Sequence, residues 1–248
     1  MNQAFSLFTD QQPWYQNVLH SPVFTLWLTV SAFYLAQQLY KLSKRSSFLH
    51  PTIIGAIAVA ALLPLLNLDY AIYFEGNDLL LFFLGPATVA LAVPLYQQIH
   101  LIRSLWWPIL ITVLVGGSFA AASAVGIAYL AGANTETLLS LAPKSITTPI
   151  AIAVADETGG NMSLAAGAVM LTAAIGITLA PPIYRLLGIH DPRVWGFCIG
   201  LNAHGMGTSR AFELDKTAGA FSSLALCLTG SFTAAVIPVA VSLLKHYL

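Results

Sequence analysis

Residues 142–158 read APKSITTPIAIAVADET, and residues 200–216 read GLNAHGMGTSRAFELDK. Each overlaps a charge-free run, 145–155 for the first and 194–209 for the second. Both runs fall short of the about 20 apolar residues that a helix needs to cross the hydrocarbon core of a bilayer. Both are also interrupted, the first by Thr147-Thr148-Pro149 and the second by Gly205 and Gly207. Short hydrophobic segments broken by Gly or Pro are the strongest sequence pointer to the binding site of a membrane transporter.

The rest of the chain supplies the membrane. Of 248 residues, 57% are hydrophobic and 8% charged, with mean hydropathy +0.77. A soluble domain carries about 25% charged residues, so the surface is built for lipid. Six charge-free runs are long: 11–40, 46–68, 79–102, 104–135, 158–184 and 217–244. They predict helices over 22–40, 51–67, 79–96, 107–131, 163–187 and 218–244, because backbone facing lipid must bond to itself. The expected fold is an all-α integral membrane protein, a single polytopic domain over 1–248. It has about six full transmembrane helices plus two short broken or re-entrant segments, and is transporter-like.

Zero net charge argues against nucleic acid, which wants a basic face. Cys198 and Cys227 lie in apolar sequence without metal-ligand spacing and read as packing residues. Residues 1–20 contain no Lys or Arg, so no cleaved leader is expected. The loop after the first span holds Lys41, Lys44 and Arg45, and the next holds Asp69, Glu75 and Asp78. The positive-inside rule then places the first loop in the cytoplasm and the N-terminus outside. If 145–155 dips in and returns, Arg185 and Arg193 fall inside as well; a crossing by 194–209 then leaves Lys245 inside. Val89-Ala-Leu-Ala-Val93 echoes Ile150-Ala-Ile-Ala-Val154, a faint sign of an internal repeat.

In the first broken segment Pro149 removes an amide donor and biases Thr148 away from helix. A helix is expected from about Pro149. Its N-terminal amides, with Lys144, Ser145, Thr147 and Thr148 around them, make an anion site. In the second, Asn202, His204, Thr208, Ser209 and Arg210 surround a backbone break expected at Gly205–Gly207, where amides can form a nest. Thr208 or Ser209 is expected to cap a helix from Ala211 onward, leaving Arg210 to hold a carboxylate. Imidazoles titrate near neutrality, so His204 is a candidate for proton coupling, as are Asp156 and Glu157; a structural His hydrogen-bonded to backbone is the alternative for His204, and a solvated turn for the two acids. Glu213 and Asp215 read as a solvated face or as partners for Arg210 and Lys216. Gly85, Pro86, Thr88 and Pro94 mark a third irregular stretch. Trp14, Trp106 and Trp107 read as interface anchors, and the small residues Gly116-Gly117 and Ala120–122 as a helix-packing face. The sequence carries no zincin pair, Walker loop, CxxC, GxSxG or Rossmann fingerprint. No enzyme, cofactor or metal is expected.

Three stretches carry a family likeness: GPATVALAVPLY (85–96), PKSITTPIAIAVADETGG (143–160) and NAHGMGTSRAFELDKTAGAFSSL (202–224). In order and spacing they resemble the LrgB/CidB family of bacterial membrane proteins over about 49–244. The resemblance implies either a carrier of small monocarboxylates such as pyruvate, glycolate or glycerate, or a holin/antiholin-like regulator of murein hydrolase export and autolysis. It implies a small LrgA/CidA-type membrane partner and a place in the bacterial inner membrane. One departure is Asn202-Ala203, where relatives commonly have Ala or Ser ahead of the His motif; it places a side-chain amide near the expected site.

Overall fold

The computed structural model describes residues 14–43, 46, 49–90 and 92–247. Most of residues 1–20, together with Lys44 and Arg45 of the orientation argument, lies outside the described residues. The chain divides into two compact units, residues 1–90 and 91–248. Every regular element among the described residues is helical.

The first unit contains α1 (Trp14–Leu19), α2 (Pro22–Leu42), α3 (Pro51–Leu65), α4 (Tyr70–Glu75) and α5 (Asp78–Ala90). Ser21 and Asp69 cap α2 and α4 by accepting the amides of Phe24 and Ala71, and Pro22 and Pro51 open α2 and α3 where no amide is needed. Gly55 lets α3 approach the backbone of Phe33 on α2. Leu28, Ala32, Val59, Leu63 and Leu68 form the core there. The Thr29 hydroxyl contacts Tyr73 Oη at 2.7 Å and donates to Asn77 Oδ1 at 2.9 Å.

The second unit contains α6 (Ala92–Gln97), α7 (Ile99–Ser104), α8 (Trp106–Leu130), α9 (Thr135–Leu141), α10 (Thr148–Thr158), α11 (Met162–Leu186), α12 (Pro192–Leu214) and α13 (Lys216–Tyr247). Among the described residues three helices are long and apolar enough to cross a membrane: α8, α11 and 216–243 of α13. The all-α membrane fold expected is thus present, with the other expected spans appearing as shorter or more polar helices. α2 has the length but is interrupted by Thr25, Thr29, Ser31, Gln37 and Gln38. α3 is 15 residues, ending before Asn67, which sits at φ 52. The span expected over 79–96 appears as α5 and α6, with Pro86 inside α5; the side chains of Gly85, Thr88 and Pro94 lie outside the description.

α8, α11 and α13 present large apolar side chains outward, Phe119 and Leu171 being 71% and 65% exposed. They bury small ones inward, such as Gly117, Ala120 and Ala173. This pattern needs lipid around it. α8 and α13 run parallel: Ile109 and Val113 pack with Phe221 and Ala225, Gly117 meets Phe232, and Ala121 and Val125 join Ala234 and Val241. α11 runs against the start of α12, with Tyr184 beside Trp195 and Gly176 against Ala203.

The two short segments are hairpins. In the second, α12 is interrupted at His204 (φ 38, ψ −130), which separates limbs α12a (192–203) and α12b (205–214). A Cβ on Gly207 would lie 3.0 Å from Ile199 O. In a continuous helix, residues eight apart are separated by about 12 Å, so the chain has reversed. Ser222 confirms this, since its carbonyl crowds Gly200 on one limb and its hydroxyl meets Thr208 on the other. Residues 194–209 therefore do not cross; they enter and return, and α13 then crosses alone. Lys245 consequently falls at the opposite end of the bundle from Arg193, correcting the expected parity. The break is at His204 rather than Gly205–Gly207, and the returning helix starts directly after it rather than near Ala211.

The first hairpin comprises α9, the irregular 142–147 and α10. Its two ends meet where the Asn161 amide donates to Ser140 Oγ at 2.7 Å and Gly160 touches the Ser140 backbone. α10 starts at Thr148, one residue earlier than expected, and ends at Gly159 in the left-handed conformation (φ 91). It lies along α13, Ile150 meeting Gly230 and Val154 meeting Ile237.

The hairpins enter from opposite ends. The first is rooted where α11 begins, the second where α11 ends and α13 begins. Each is followed by a long helix, so the succession of hairpin and long helix occurs twice in the second unit, in opposite directions.

Candidate functional site

Each hairpin tip touches α11 at Val169. Ile146 and Ala151, on either side of the first tip, pack on the side chain of Val169. The carbonyl of the same Val169 accepts from His204 Nε2 at 3.1 Å. A carbonyl can only accept, so the imidazole carries a proton on Nε2. Val169 is the eighth residue of 25 in α11, so the tips lie inside the helical layer.

Both tips start a helix whose first-turn amides have no partner within that helix. Thr147, extended at φ −64 and ψ 143, precedes α10, and its side chain makes no capping bond. His204 precedes α12b. Each hairpin thus brings a helix N-terminus close to Val169, and the unpaired amides and dipole of a helix N-terminus favour an anion.

His204 is buried and sits at a positive φ that side chains other than Gly rarely adopt. The Thr208 hydroxyl stabilises the break by donating to the His204 carbonyl at 2.8 Å. That commits its proton, so Ser222 Oγ, 2.9 Å away, donates to Thr208 in turn. Thr208 thus serves the tip itself rather than a helix further on. Replacing His204 by Gly relieves backbone strain worth about 1–3 kcal/mol while losing a hydrogen bond of about 1 kcal/mol; Ala loses the bond and keeps the strain. His204→Gly is expected to melt above His204→Ala in detergent, and the reverse order would show that the tip is not strained.

A cleft of about 500 Å³ runs along α12b, lined by Gly205, Thr208, Ser209, Phe212 and Glu213. These positions recur at three and four residues and share one helix face. No atom lies within 4 Å of a Cβ placed on Gly205, so the cleft is open at the tip. Beside it the Arg210 guanidinium, 9% exposed, donates from Nη1 to Glu213 Oε2 at 2.8 Å.

The other expected site residues divide by place. Ser145 is buried and accepts from Lys144 Nζ at 3.2 Å in the first hairpin, next to Thr147, Thr148 and Pro149. Gly207 is buried against α12a, whereas Ser209 and Asn202 are exposed; the Asn202 amide donates back to Cys198 O. Asp156 and Glu157 are exposed near the far end of α10, about 12–14 Å along the helix from Thr148. The sequence reading passed over Ser222 and Thr229 of α13, both fully buried, and the Thr229 hydroxyl has no hydrogen-bond partner among the described residues. Their signal was polarity inside an otherwise apolar span.

The end where α8 and α13 begin is the richer in Lys and Arg: Arg103, Arg185, Arg193 and Lys216 lie there with Asp191, Glu213 and Asp215, whereas Glu136, Asp156, Glu157 and Lys245 lie at the other. At the basic end Asp191 caps α12, and a side-chain hydrogen bond from Arg193 holds its carboxyl below the usual range. Trp106 and Trp107 stack at 4.1 Å at the start of α8, as interface anchors would. Cys198 and Cys227 are free thiols. Among the described residues no cluster of His, Cys, Asp or Glu could hold a metal.

Long apolar helices packed around two opposed hairpins define an all-α membrane protein whose hairpin tips lie within the length of its long helices. The chain belongs to the LrgB-like family, which matches residues 29–243. It is 34% identical over 220 residues to the uncharacterized protein YwbG of Bacillus subtilis (strain 168), covering 89% of this chain and 97% of that protein. It is 38% identical over 208 residues to the uncharacterized protein YxaC of the same organism, covering 83% and 90%. No solved structure matches the chain.

Proposed function

We propose that the protein is a secondary carrier of small monocarboxylates of the pyruvate or glycolate kind, working in the bacterial inner membrane. The observation that supports this is the convergence of two helix N-termini on Val169 from opposite ends of the bundle. One carboxylate fits such a place, and two hairpins of opposite entry provide a gate on each side for alternating access. Lys144, Ser145, Thr147, Thr148 and Pro149 line one gate, and Asn202, His204, Gly205, Gly207, Thr208, Ser209 and Arg210 the other. By the positive-inside rule the basic end faces the cytoplasm. The same rule places the N-terminus outside, from Lys41, Lys44 and Arg45. A small LrgA/CidA-type membrane protein is the expected partner.

The competing reading is a holin-type pore or regulator of murein hydrolase export, which needs no interrupted hairpins within each subunit. Purified protein in liposomes, with and without the small partner, separates them. Saturable uptake of radiolabelled pyruvate or glycolate under a pH gradient is the expected result. Release of an unrelated trapped dye at the same rate as pyruvate would replace the carrier with a pore.

A further inference from the structure

We propose that the groove between α8 and α12a is a binding site for one anionic phospholipid, with its phosphate on Arg193 and one of its chains in the groove. The two helices start at the same end of the bundle and run side by side. Leu105, Ile109 and Thr112 follow one another at three and four residues along one side of α8, and Val194 and Cys198 line the facing side of α12a. Phe221 of α13, which is buried, closes the floor. Asp191 and Arg193 stand at one end of the groove. At the other the helices close on each other, a Cβ on Gly116 lying 3.1 Å from Leu201 Cδ1. The space enclosed is about 210 Å³.

Polarity is confined to the first end. The Thr112 hydroxyl is spent on the Pro108 carbonyl at 2.7 Å, and the Cys198 thiol is a weak donor. The other side chains along the groove are hydrocarbon, so its occupant needs an apolar body. Water is a poor occupant, because a buried water needs about two to four polar partners. A helix, about 10 Å across, is too wide for the space. Pro108 and Thr112 are exposed, as are Ile111 and Val115 beside them. The groove therefore opens on the hydrocarbon of the bilayer, where lipid chains lie.

The mouth sets the headgroup. Trp106 and Trp107, stacked at the start of α8, mark the headgroup level. Arg193 donates from Nε and Nη2 to Asp191, which orients the guanidinium, and its Nη1 makes no hydrogen bond among the described residues. With the side chain 41% exposed, Nη1 offers its N–H groups to a phosphate oxygen. Arg103 stands on α7 next to Ile102, which packs against the cluster containing Phe197 and Phe221. Two cations and one carboxylate leave one positive charge, the complement of a phosphodiester that carries no ammonium of its own. The chain brings little selectivity in a bilayer, since lipid tails are as apolar as the groove; the charged mouth decides which lipid stays. A lipid held there ties α8 to the entering limb of the second hairpin and so stabilises the folded protein.

Full-length protein, delipidated in detergent, is titrated with dioleoylphosphatidylglycerol and read by native mass spectrometry and by Tm. Wild type is expected to retain one lipid per chain and to melt higher as lipid is added. Dioleoylphosphatidylcholine and dioleoylglycerol are expected to bind about tenfold more weakly or worse. Arg193→Gln keeps the Asp191 cap, which rests on the backbone amide at that position. It is expected to weaken phosphatidylglycerol binding by about tenfold or more, as the loss of a hydrogen bond to a charged group does. Thr112→Trp places an indole in the groove and is expected to abolish retention. Both variants are expected to melt like wild type when no lipid is present. Phosphatidylcholine or dioleoylglycerol bound as tightly as phosphatidylglycerol, or wild-type affinity in both variants, would overturn the assignment. So would an equal rise in Tm with sodium phosphate alone, which would give Arg193 to a free ion, or a second chain held in place of the lipid, which would give the groove to protein.

Discussion

Arg210→Ala is expected to reduce saturable monocarboxylate uptake by two orders of magnitude or more, with the protein still inserted in the membrane. The guanidinium is 9% exposed beside the cleft, so a substrate carboxylate would meet it with little water between them. A hydrogen bond to a charged partner contributes about 1.5–3 kcal/mol. Removing the cation from beside a desolvated anion costs about 3–5 kcal/mol. About 1.4 kcal/mol corresponds to a factor of ten, so even the lower part of this range approaches a hundredfold. Insertion should survive because the carboxylate left behind belongs to Glu213, which is one-third exposed and can be hydrated. Arg210→Lys keeps the charge but not the planar fork, and is expected to retain a fraction of the activity. The double variant Arg210→Ala/Glu213→Ala removes both members of the pair and is expected to remain inactive, which separates loss of binding from loss of fold. Near-normal uptake by Arg210→Ala would take Arg210 out of the site.

How much of this was legible in the sequence follows from what each signal encodes. Long charge-free runs encode length and solvent, and they located α8, α11 and α13 to within a few residues. The short runs 145–155 and 194–209 marked where the layer is broken, because a segment too short to cross has to stop inside. Their topology was less accessible. A helix that turns back and one that continues across have the same composition, and only tertiary contacts, Ser222 touching both Gly200 and Thr208, distinguish them. The position of the break was misread for a related reason. Glycine is the residue expected at positive φ, yet here His204 carries it, held by Val169 and Thr208. Gly205 instead keeps the cleft open and Gly207 lets the limbs touch. The partnership of Arg210 with Glu213 was visible as a three-residue helical spacing, whereas the contributions of Ser222 and Thr229 depended on which face of α13 turns inward.

Gly200→Leu is expected to be the most damaging single substitution in the scaffold of the second hairpin. A Cβ at Gly200 would lie 2.1 Å from Ser222 O and 2.7 Å from both Ser222 C and Ser222 Cα. These are backbone atoms, so no rotamer change relieves the clash; α13 must move away from α12a. Gly196 sits one helical turn earlier, its Cβ position 2.4 Å from Ala218 O, and the two glycines together set the distance between the helices, as small residues do in membrane packing. Separating the helices also breaks the 2.9 Å contact between Thr208 and Ser222 that steadies the tip. Overpacking costs about 1–3 kcal/mol where side chains can yield, and more where they cannot. For a chain of this size that corresponds to a fall in Tm of about 10 °C, accompanied by loss of uptake. Two controls calibrate the measurement. Gly117→Ala meets the Phe232 ring edge at 3.1 Å, which can shift, and is expected to lower Tm only slightly. Gly126→Ala meets nothing within 4 Å inside α8 and is expected to raise Tm, since Ala is the better helix former by about 1 kcal/mol. A Gly200→Leu protein as stable as Gly126→Ala would mean that the two limbs and α13 do not pack as described, and the reversal at His204 would lose its main support.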